Sequence, residues 1–410
     1  MSLRRSKKNK VRGVALMIYL DNAATTQIAP EVLDAMMPYL QENYGNAGTI
    51  YSFGRKSAAA IQTAREEVSH LFGCTPEHVI FTSGGSEGNN MIIKGLRDKL
   101  LHSGKTHLVL SATEHDSMIR AAESLIKDGF YITYVKPGTN GRITADIVED
   151  AIQDDTGLVS VMFANNETGA VNDIESIGKL CKQRSVMFHS DCVQAAGQYM
   201  IDVENNNLDF VTVSSHKIHG PKGVGAVYVR DMDIEPLIHG GNEQEHGLRG
   251  GTENVPGVVG FGVAAGIAVN HITDNLIYTS SLKQLFVMEL TKDLPYGNLK
   301  ESGVQFNGYT YLDPGKVLNL RINGVFGESL VLMLDAMGVC VSAGSACRSM
   351  EAESSHVLIA HGLTDEEARS SVRISFSKYN TREEVTRAAS IMAGCIEALR
   401  AAQGEENGEH

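Results

Sequence analysis

The chain has 410 residues, 42% of them hydrophobic and 21% charged, a globular mixture too long for one simple core. Its formal net charge of −13 argues against nucleic acid as the main partner, because neutralising phosphates needs a basic face. Its apolar runs are too short to span a bilayer, so a membrane role is not expected.

Met1 to Gly13 is basic and without periodicity, and residues 1–16 are expected to be disordered. Farther along, Ile61, Ala64, Val68 and Leu71 keep helical spacing. Seven strand candidates follow: Val79–Phe81, His107–Ala112, Phe130–Val135, Leu158–Ala164, Val186–Asp191, Phe210–Ser214 and Gly225–Arg230. Helical stretches such as Asp146–Gln153 and Ile174–Gln183 separate many of them. This alternation predicts an α/β fold with a mostly parallel sheet covered on both faces. Such sheets place ligands beyond the carboxyl ends of their strands. After about residue 273 the pattern changes to a smaller α+β unit. Strands are predicted at Val317–Ile322, Val339–Ser342 and Val372–Ser377, and helices at Glu328–Met337 and Thr381–Ala401. A Gly-, Ser- and Ala-rich stretch, Ser342–Ser355, interrupts it, and a polar tail over 403–410 is expected to be disordered.

Six cysteines occur: Cys74, Cys181, Cys192, Cys340, Cys347 and Cys395. None forms a C-x-x-C pair and no secretory pattern precedes them, so free thiols in a reducing cytosol are expected.

Polar motifs cluster where the strands end. Thr82-Ser83-Gly84-Gly85-Ser86-Glu87-Gly88-Asn89-Asn90 follows a strand and opens a helix. Free N–H groups and the helix dipole converge there on an anion; the plainer reading is a turn capped by Ser86. His189-Ser190-Asp191-Cys192-Val193-Gln194 ends another strand. An acid there can pair with a protonated ring nitrogen of a cofactor. Strand alternation puts His189 and Asp191 on one face and Cys192 on the other, which disfavours a metal. In Ser214-Ser215-His216-Lys217-Ile218-His219-Gly220, a lysine just after a buried strand is a candidate nucleophile for aldehydes. A lone surface lysine in a glycine turn is the alternative. In Ser342-Ala343-Gly344-Ser345-Ala346-Cys347-Arg348, small residues flank a thiol and Arg348 favours its thiolate, whereas Cys340 in Val339-Cys340-Val341 suits a structural cysteine. Thr113-Glu114-His115 and Asn165-Asn166-Glu167-Thr168-Gly169 add polar groups after two further strands.

From about Tyr19 to Ala401, in order and spacing, the chain resembles the NifS/IscS-type cysteine desulfurases, class V aminotransferases of fold-type I that use pyridoxal 5'-phosphate (PLP). The combination of Ser-x-His-Lys with Ser-x-Gly-Ser-Ala-Cys carries the resemblance. It implies a large PLP-binding domain over 27–272 and a small domain formed by 17–26 plus 273–402. By position, Lys217 matches the lysine that holds the cofactor and later acts as base at the substrate Cα. Asp191 matches the acid on the pyridine nitrogen, His115 the histidine stacked on the ring, and Gln194 the residue on the ring hydroxyl. Gly85, Ser86, Ser214 and His216 match the phosphate-binding positions. Thr252 matches a threonine that reaches the phosphate of a neighbouring subunit, which implies a homodimer. Asn166 and Arg373 match the groups on the substrate carboxylate, and Cys347 the catalytic cysteine. The implied reaction turns L-cysteine into L-alanine and a Cys347 persulfide. That sulfur passes to an acceptor such as an iron–sulfur scaffold, or into tRNA or cofactor thiolation, in the cytoplasm. A selenocysteine lyase or another class V aminotransferase would keep Lys217 and Asp191 without needing Cys347. A sulfur-carrier scaffold would need neither.

The chain departs from the family pattern in places. Gly85-Ser86 replaces Ala-Thr. The run His239 to Arg249 is one residue longer than usual and has His246 where arginine is common. Asn46 to Tyr51 differs from the usual stretch, and Ser354 replaces a proline.

Overall fold

A computed structural model describes residues 17–241, 243–308, 310–343 and 354–406. Its strands are β1 (Ile18–Tyr19), β2 (Val79–Thr82), β3 (His107–Ser111), β4 (Tyr131–Val135), β5 (Thr156–Ser160), β6 (Met187–Asp191), β7 (Phe210–Ser214), β8 (Gly225–Val229), β9 (Val304–Phe306), β10 (Val317–Ile322), β11 (Val339–Cys340) and β12 (Ser371–Ser375).

Seven of them form one sheet in the order β2-β8-β7-β6-β5-β3-β4. Strand β8 runs antiparallel to both its neighbours, and every other pairing is parallel. The strands are apolar on both faces, as a sheet covered on both sides requires. Val109, Phe188, Val211 and Val213 pack into one buried cluster with Val68 and Phe261. Leu108, Leu110 and Phe210 alternate to the other face and pack with Ile92 and Met118. Since β2, β3, β5, β6 and β7 all point one way, the polar motifs that follow them emerge along a single edge.

A second sheet, β12-β10-β9, is antiparallel, and β1 pairs in parallel with β11. Ile18 and Leu20 share a buried cluster with Leu318, Leu320, Ile374 and Phe376. The chain then crosses toward the large sheet. The Ala23 N–H donates to Ser375 Oγ at 2.8 Å, and the Thr26 N–H donates to the His216 carbonyl at 3.1 Å.

Some elements differ from the sequence expectations. The strand expected over Leu158–Ala164 is β5, which starts two residues earlier and ends at Ser160. Beyond it, Met162 N–H is taken by Glu114 Oε1 at 2.6 Å, a side-chain partner that competes with the ladder. The short β9 has no alternation long enough to be read. The last helix runs Arg382–Glu406, into the tail expected to be disordered, because Ala401, Ala402, Gln403, Glu405 and Glu406 are adequate helix formers.

The longer loop before residue 250 has its own anchor. Glu245 and His246 lie in the left-handed region, with φ of 43° and 57°. Glu245 is held by a buried bidentate pair with Arg65, at 2.6 and 2.8 Å, and also accepts the Phe81 N–H at 2.6 Å. Glu245→Ala strands a buried guanidinium and a strand N–H together. It is expected to lower unfolding free energy by about 3–5 kcal/mol, measured by denaturant unfolding at unchanged slope. A loss below about 1 kcal/mol would contradict this anchoring role.

Candidate active site

A cavity of about 280 Å³ opens at the carboxyl edge of the large sheet. Its lining brings together Gly85, Ser86, His115, Asn166, Asp191, Gln194, Ser214, His216, Lys217 and Arg373, nearly the whole expected set. Two members stand apart. Thr252 is exposed and does not line this cavity of its own chain. Cys347 lies outside the described residues, but the stretches that bracket it do not wander off. Ser342 Oγ accepts from Arg373 at 3.2 Å, and His356 and Val357 line the cavity.

Lys217 sits in the turn that ends β7. Its Nζ donates to the carbonyls of Ala23 and Ala24 at 2.6 and 2.7 Å, so the N-terminal segment aims the amine. Asp191, at the end of β6, is 4% exposed. Its Oδ1 accepts the Val193 N–H at 2.9 Å and its Oδ2 accepts from Asn89 at 2.8 Å. Asn89 comes from the helix Gly85–Gly95, one turn past Ser86.

Glu114 lies fully buried beside this acid. Burial, then the Asp191 charge, push its carboxyl well above the usual carboxylate range. Its Oε2 has no protein partner among the described residues. His115 caps the helix Asp116–Glu123: its Nδ1 accepts the Ser117 N–H at 3.1 Å and pairs with Ser117 Oγ at 2.8 Å. In the neutral ring that leaves the proton on Nε2.

At the other end, Gly84 adopts φ 150° and ψ −175°, a conformation open only to glycine, and turns β2 into the helix Gly85–Gly95. A Cβ on Gly85 would meet Val193 Cγ2 at 2.9 Å, so the first helical turn lies close against the end of β6. Ser86, Ser214 and His216 gather beside that helix N-terminus. Burial, then the Lys217, Lys222 and Lys316 charges, bring His216 down to about 4, so the ring is neutral at physiological pH.

The residues suit a pyridine-type cofactor with a phosphate. Gln194 donates to the Ala23 carbonyl at 2.9 Å while its Oε1 stays buried without a partner among the described residues, placed for a ring hydroxyl. Arg373, 2% exposed, donates to Asn166 O at 3.0 Å and to Asp21 Oδ1 at 2.8 Å. Its Nε is buried and unpartnered among the described residues, a vacant donor at the cavity wall.

His189 belongs elsewhere. Its nitrogens meet Ser160 Oγ at 2.9 Å and Thr212 Oγ1 at 3.1 Å inside the sheet, and burial brings it down to about 3. Among the described residues, no group of three or more His, Cys, Asp and Glu could hold a metal. Burial pushes the Cys340 thiol up, in keeping with a structural cysteine in β11.

Asn89, Glu114 and the Ala23–Ala24 carbonyls are the residues that sequence reasoning missed. Asn89 and Glu114 stood within motifs already noted, and helical spacing from Ser86 would have found Asn89. Two alanines before Thr25 carry no chemical signal.

Comparison with known proteins gives the family. The family model described as aminotransferase class-V matches residues 18–388. A curated relative, cysteine desulfurase IscS of Methanosarcina thermophila, is 39% identical over 93% of both chains. Cysteine desulfurase 2 of Trichormus variabilis is 40% identical over 94% of both. Among solved structures, a NifS-like protein superposes with a TM-score of 0.85 at 31% identity, covering 93% of this chain and 100% of that one. The structure of SspA in complex with cysteine gives 0.76 at 34% identity, covering 88% and 99%. The chain belongs to the PLP-dependent class-V aminotransferase family, and within it to the NifS/IscS-type cysteine desulfurases.

Proposed function

We propose that the protein converts L-cysteine to L-alanine and leaves the sulfur as a persulfide on Cys347, with PLP held in the cavity on Lys217. The observation that carries this reading is the convergence of Lys217, Asp191, Gln194 and Arg373 on one cavity beside a helix N-terminus. Bound PLP supplies an electron sink for charge developing at the substrate Cα.

The chain's own residues do the rest. The Gly85–Ser86 helix N-terminus, Ser214 and His216 would hold the phosphate. Asp191, fixed by Asn89 and the Val193 N–H, would keep a proton on a pyridine nitrogen. Gln194 Oε1 would accept from a ring hydroxyl, and His115 would hold the ring of the cofactor in the cavity. Arg373 Nε and Asn166 hold the substrate carboxylate. The Lys217 amine would take the proton from the substrate Cα. Cys347 as thiolate attacks the substrate sulfur: the new S–S bond forms as the C–S bond breaks, and the carbon product leaves as alanine after protonation.

The division into 27–272 and 17–26 plus 273–402 accompanies this proposal. The isolated core around Leu318 and Ile374, which includes Ile18 and Leu20, supports it. A homodimer is proposed as well. Leu33, Met37, Leu40, Tyr44, Ile50 and Tyr51 are exposed together on and after the helix Pro30–Gln41, an apolar surface suited to a second copy. The exposed Thr252 then serves the partner's phosphate. No single described helix is long and apolar enough to cross a membrane. We place the protein in the cytoplasm, with a sulfur acceptor of the iron–sulfur scaffold or thiolation kind.

The test is product analysis. With PLP, L-cysteine and dithiothreitol, alanine and sulfide should appear in equal amounts; alanine without sulfide, or no turnover, sinks the proposal. Arg373→Lys should raise KM for cysteine about 10- to 100-fold, with kcat changed much less, because it keeps the charge but removes the guanidinium fork and its Nε donor to the carboxylate. An unaltered KM would remove Arg373 from the substrate site.

A further inference from the structure

A second cavity, of about 30 Å³, lies between the turn after β7 and the segment after β12. Lys316, Lys378, Gln198 and His219 are among the residues that line it. Lys316 stands just before β10. Its carbonyl accepts the Phe376 N–H at 2.9 Å, so the backbone is clamped to the end of β12. The residue is only 6% exposed, and the space it borders is this cavity. Among the described residues, its ammonium has no hydrogen bond and no ion pair. Lys283, also buried, is held quite differently: its Nζ donates to the Asp313 carbonyl at 2.6 Å.

The lining is cationic or neutral, with no carboxylate among the described residues. Lys378 comes from the segment after β12, and the Glu31 charge acts on it, but Glu31 does not line the cavity. Lys217 borders the same space, with its Nζ directed to the Ala23 and Ala24 carbonyls. His219 gives its Nδ1 to the Gln27 carbonyl at 3.0 Å, and burial brings the ring down to about 4, so it adds no charge. Gln198 accepts from Thr279 at 3.1 Å and gives one amide N–H to the Gly197 carbonyl, which leaves a second N–H as a donor. An ammonium offers three donors and no acceptor, and burying one without a partner is costly. Burial, then the Lys217 charge, bring Lys316 down to about 7, as befits an ammonium to which the protein supplies no anion. The space has room for a water or a single halide rather than a polyatomic oxyanion.

We propose that this cavity is a binding site for one small inorganic anion of chloride size, held by the Lys316 ammonium together with Lys378 and the Gln198 amide. A water there would accept from Lys316 but leave the charge unbalanced, whereas a halide accepts the protons and balances the charge. The site joins the turn after β7 of the large sheet to the ends of β10 and β12 of the small one. An anion bound there ties the two sheets together and stabilises the folded chain by mass action. The inference does not depend on which reaction the protein catalyses.

The experiment uses the full-length protein with PLP present. Chloride is titrated against gluconate, an anion too large for the cavity, at constant ionic strength, and the melting midpoint is followed in parent, Lys316→Met and Lys378→Ala. The parent midpoint should rise by about 1–3 °C and level off. Lys316→Met should not respond, and Lys378→Ala should need several-fold more chloride for the same rise. Lys316→Met removes a buried cation without a partner, so it should fold and melt no lower than the chloride-free parent. Parent crystals grown in bromide should show an anomalous peak in contact with Lys316 Nζ, a readout that needs no variant to fold. A parent midpoint indifferent to chloride, an equal response in Lys316→Met, or bromide crystals with no anomalous peak at Lys316 overturns the site.

Discussion

Lys217→Ala is expected to lower cysteine turnover by about 10²–10⁴-fold from the missing base alone, and further from the missing covalent anchor. The physical reason lies in where the amine stands. The Ala23 and Ala24 carbonyls fix Nζ at 2.6 and 2.7 Å, at the end of β7 and at the wall of the large cavity. No neighbour can replace it. Among the described residues, no other lysine lines that cavity. The variant should fold, since the change deletes a partly buried side chain and leaves the two carbonyls beside a solvent-accessible cavity. Turnover within tenfold of the parent, at equal PLP content, would show that the base is another group.

Cys347→Ser is expected to abolish sulfide release from L-cysteine, by roughly 10³-fold or more, while the absorption of bound PLP persists. A hydroxyl at that position is a far weaker nucleophile toward sulfur than a thiolate near an arginine. The cofactor should be unaffected, because Asp191, Gln194, Lys217 and the helix N-terminus belong to other elements. The contrast between the two variants is diagnostic. Loss of Lys217 removes both the covalent link to the cofactor and activity, whereas loss of Cys347 removes activity alone. A Cys347→Ser protein that still desulfurates at the parent rate would make the reaction one that needs no protein thiol, as in a selenocysteine lyase or another class V enzyme.

Much of the large sheet was legible because its strands are buried on both faces and read as continuous apolar runs. Phe210–Ser214 and Val317–Ile322 match residue for residue. The site was legible for a related reason. In a parallel sheet the carboxyl ends face one way, so polar residues after separate strands become neighbours. Asp191, His115, Asn166 and Lys217 all follow that rule. What escaped reading depends on tertiary contact. Ala23 and Ala24 act through backbone carbonyls, to which side-chain chemistry gives no clue. The extra residue in the loop after His239 was visible, but its anchor was not: Arg65 and Glu245 are 180 positions apart.

The central claim is that one lysine, Lys217, carries the cofactor. It is tested most directly by reducing the PLP-loaded protein with borohydride, digesting it, and locating the added pyridoxyl phosphate mass by peptide sequencing in the mass spectrometer. The modification is expected on Lys217, in the peptide that contains Ser214-Ser215-His216-Lys217, at close to one per chain. A modification on Lys316 or any other lysine, or none at all in a protein saturated with PLP, would contradict it.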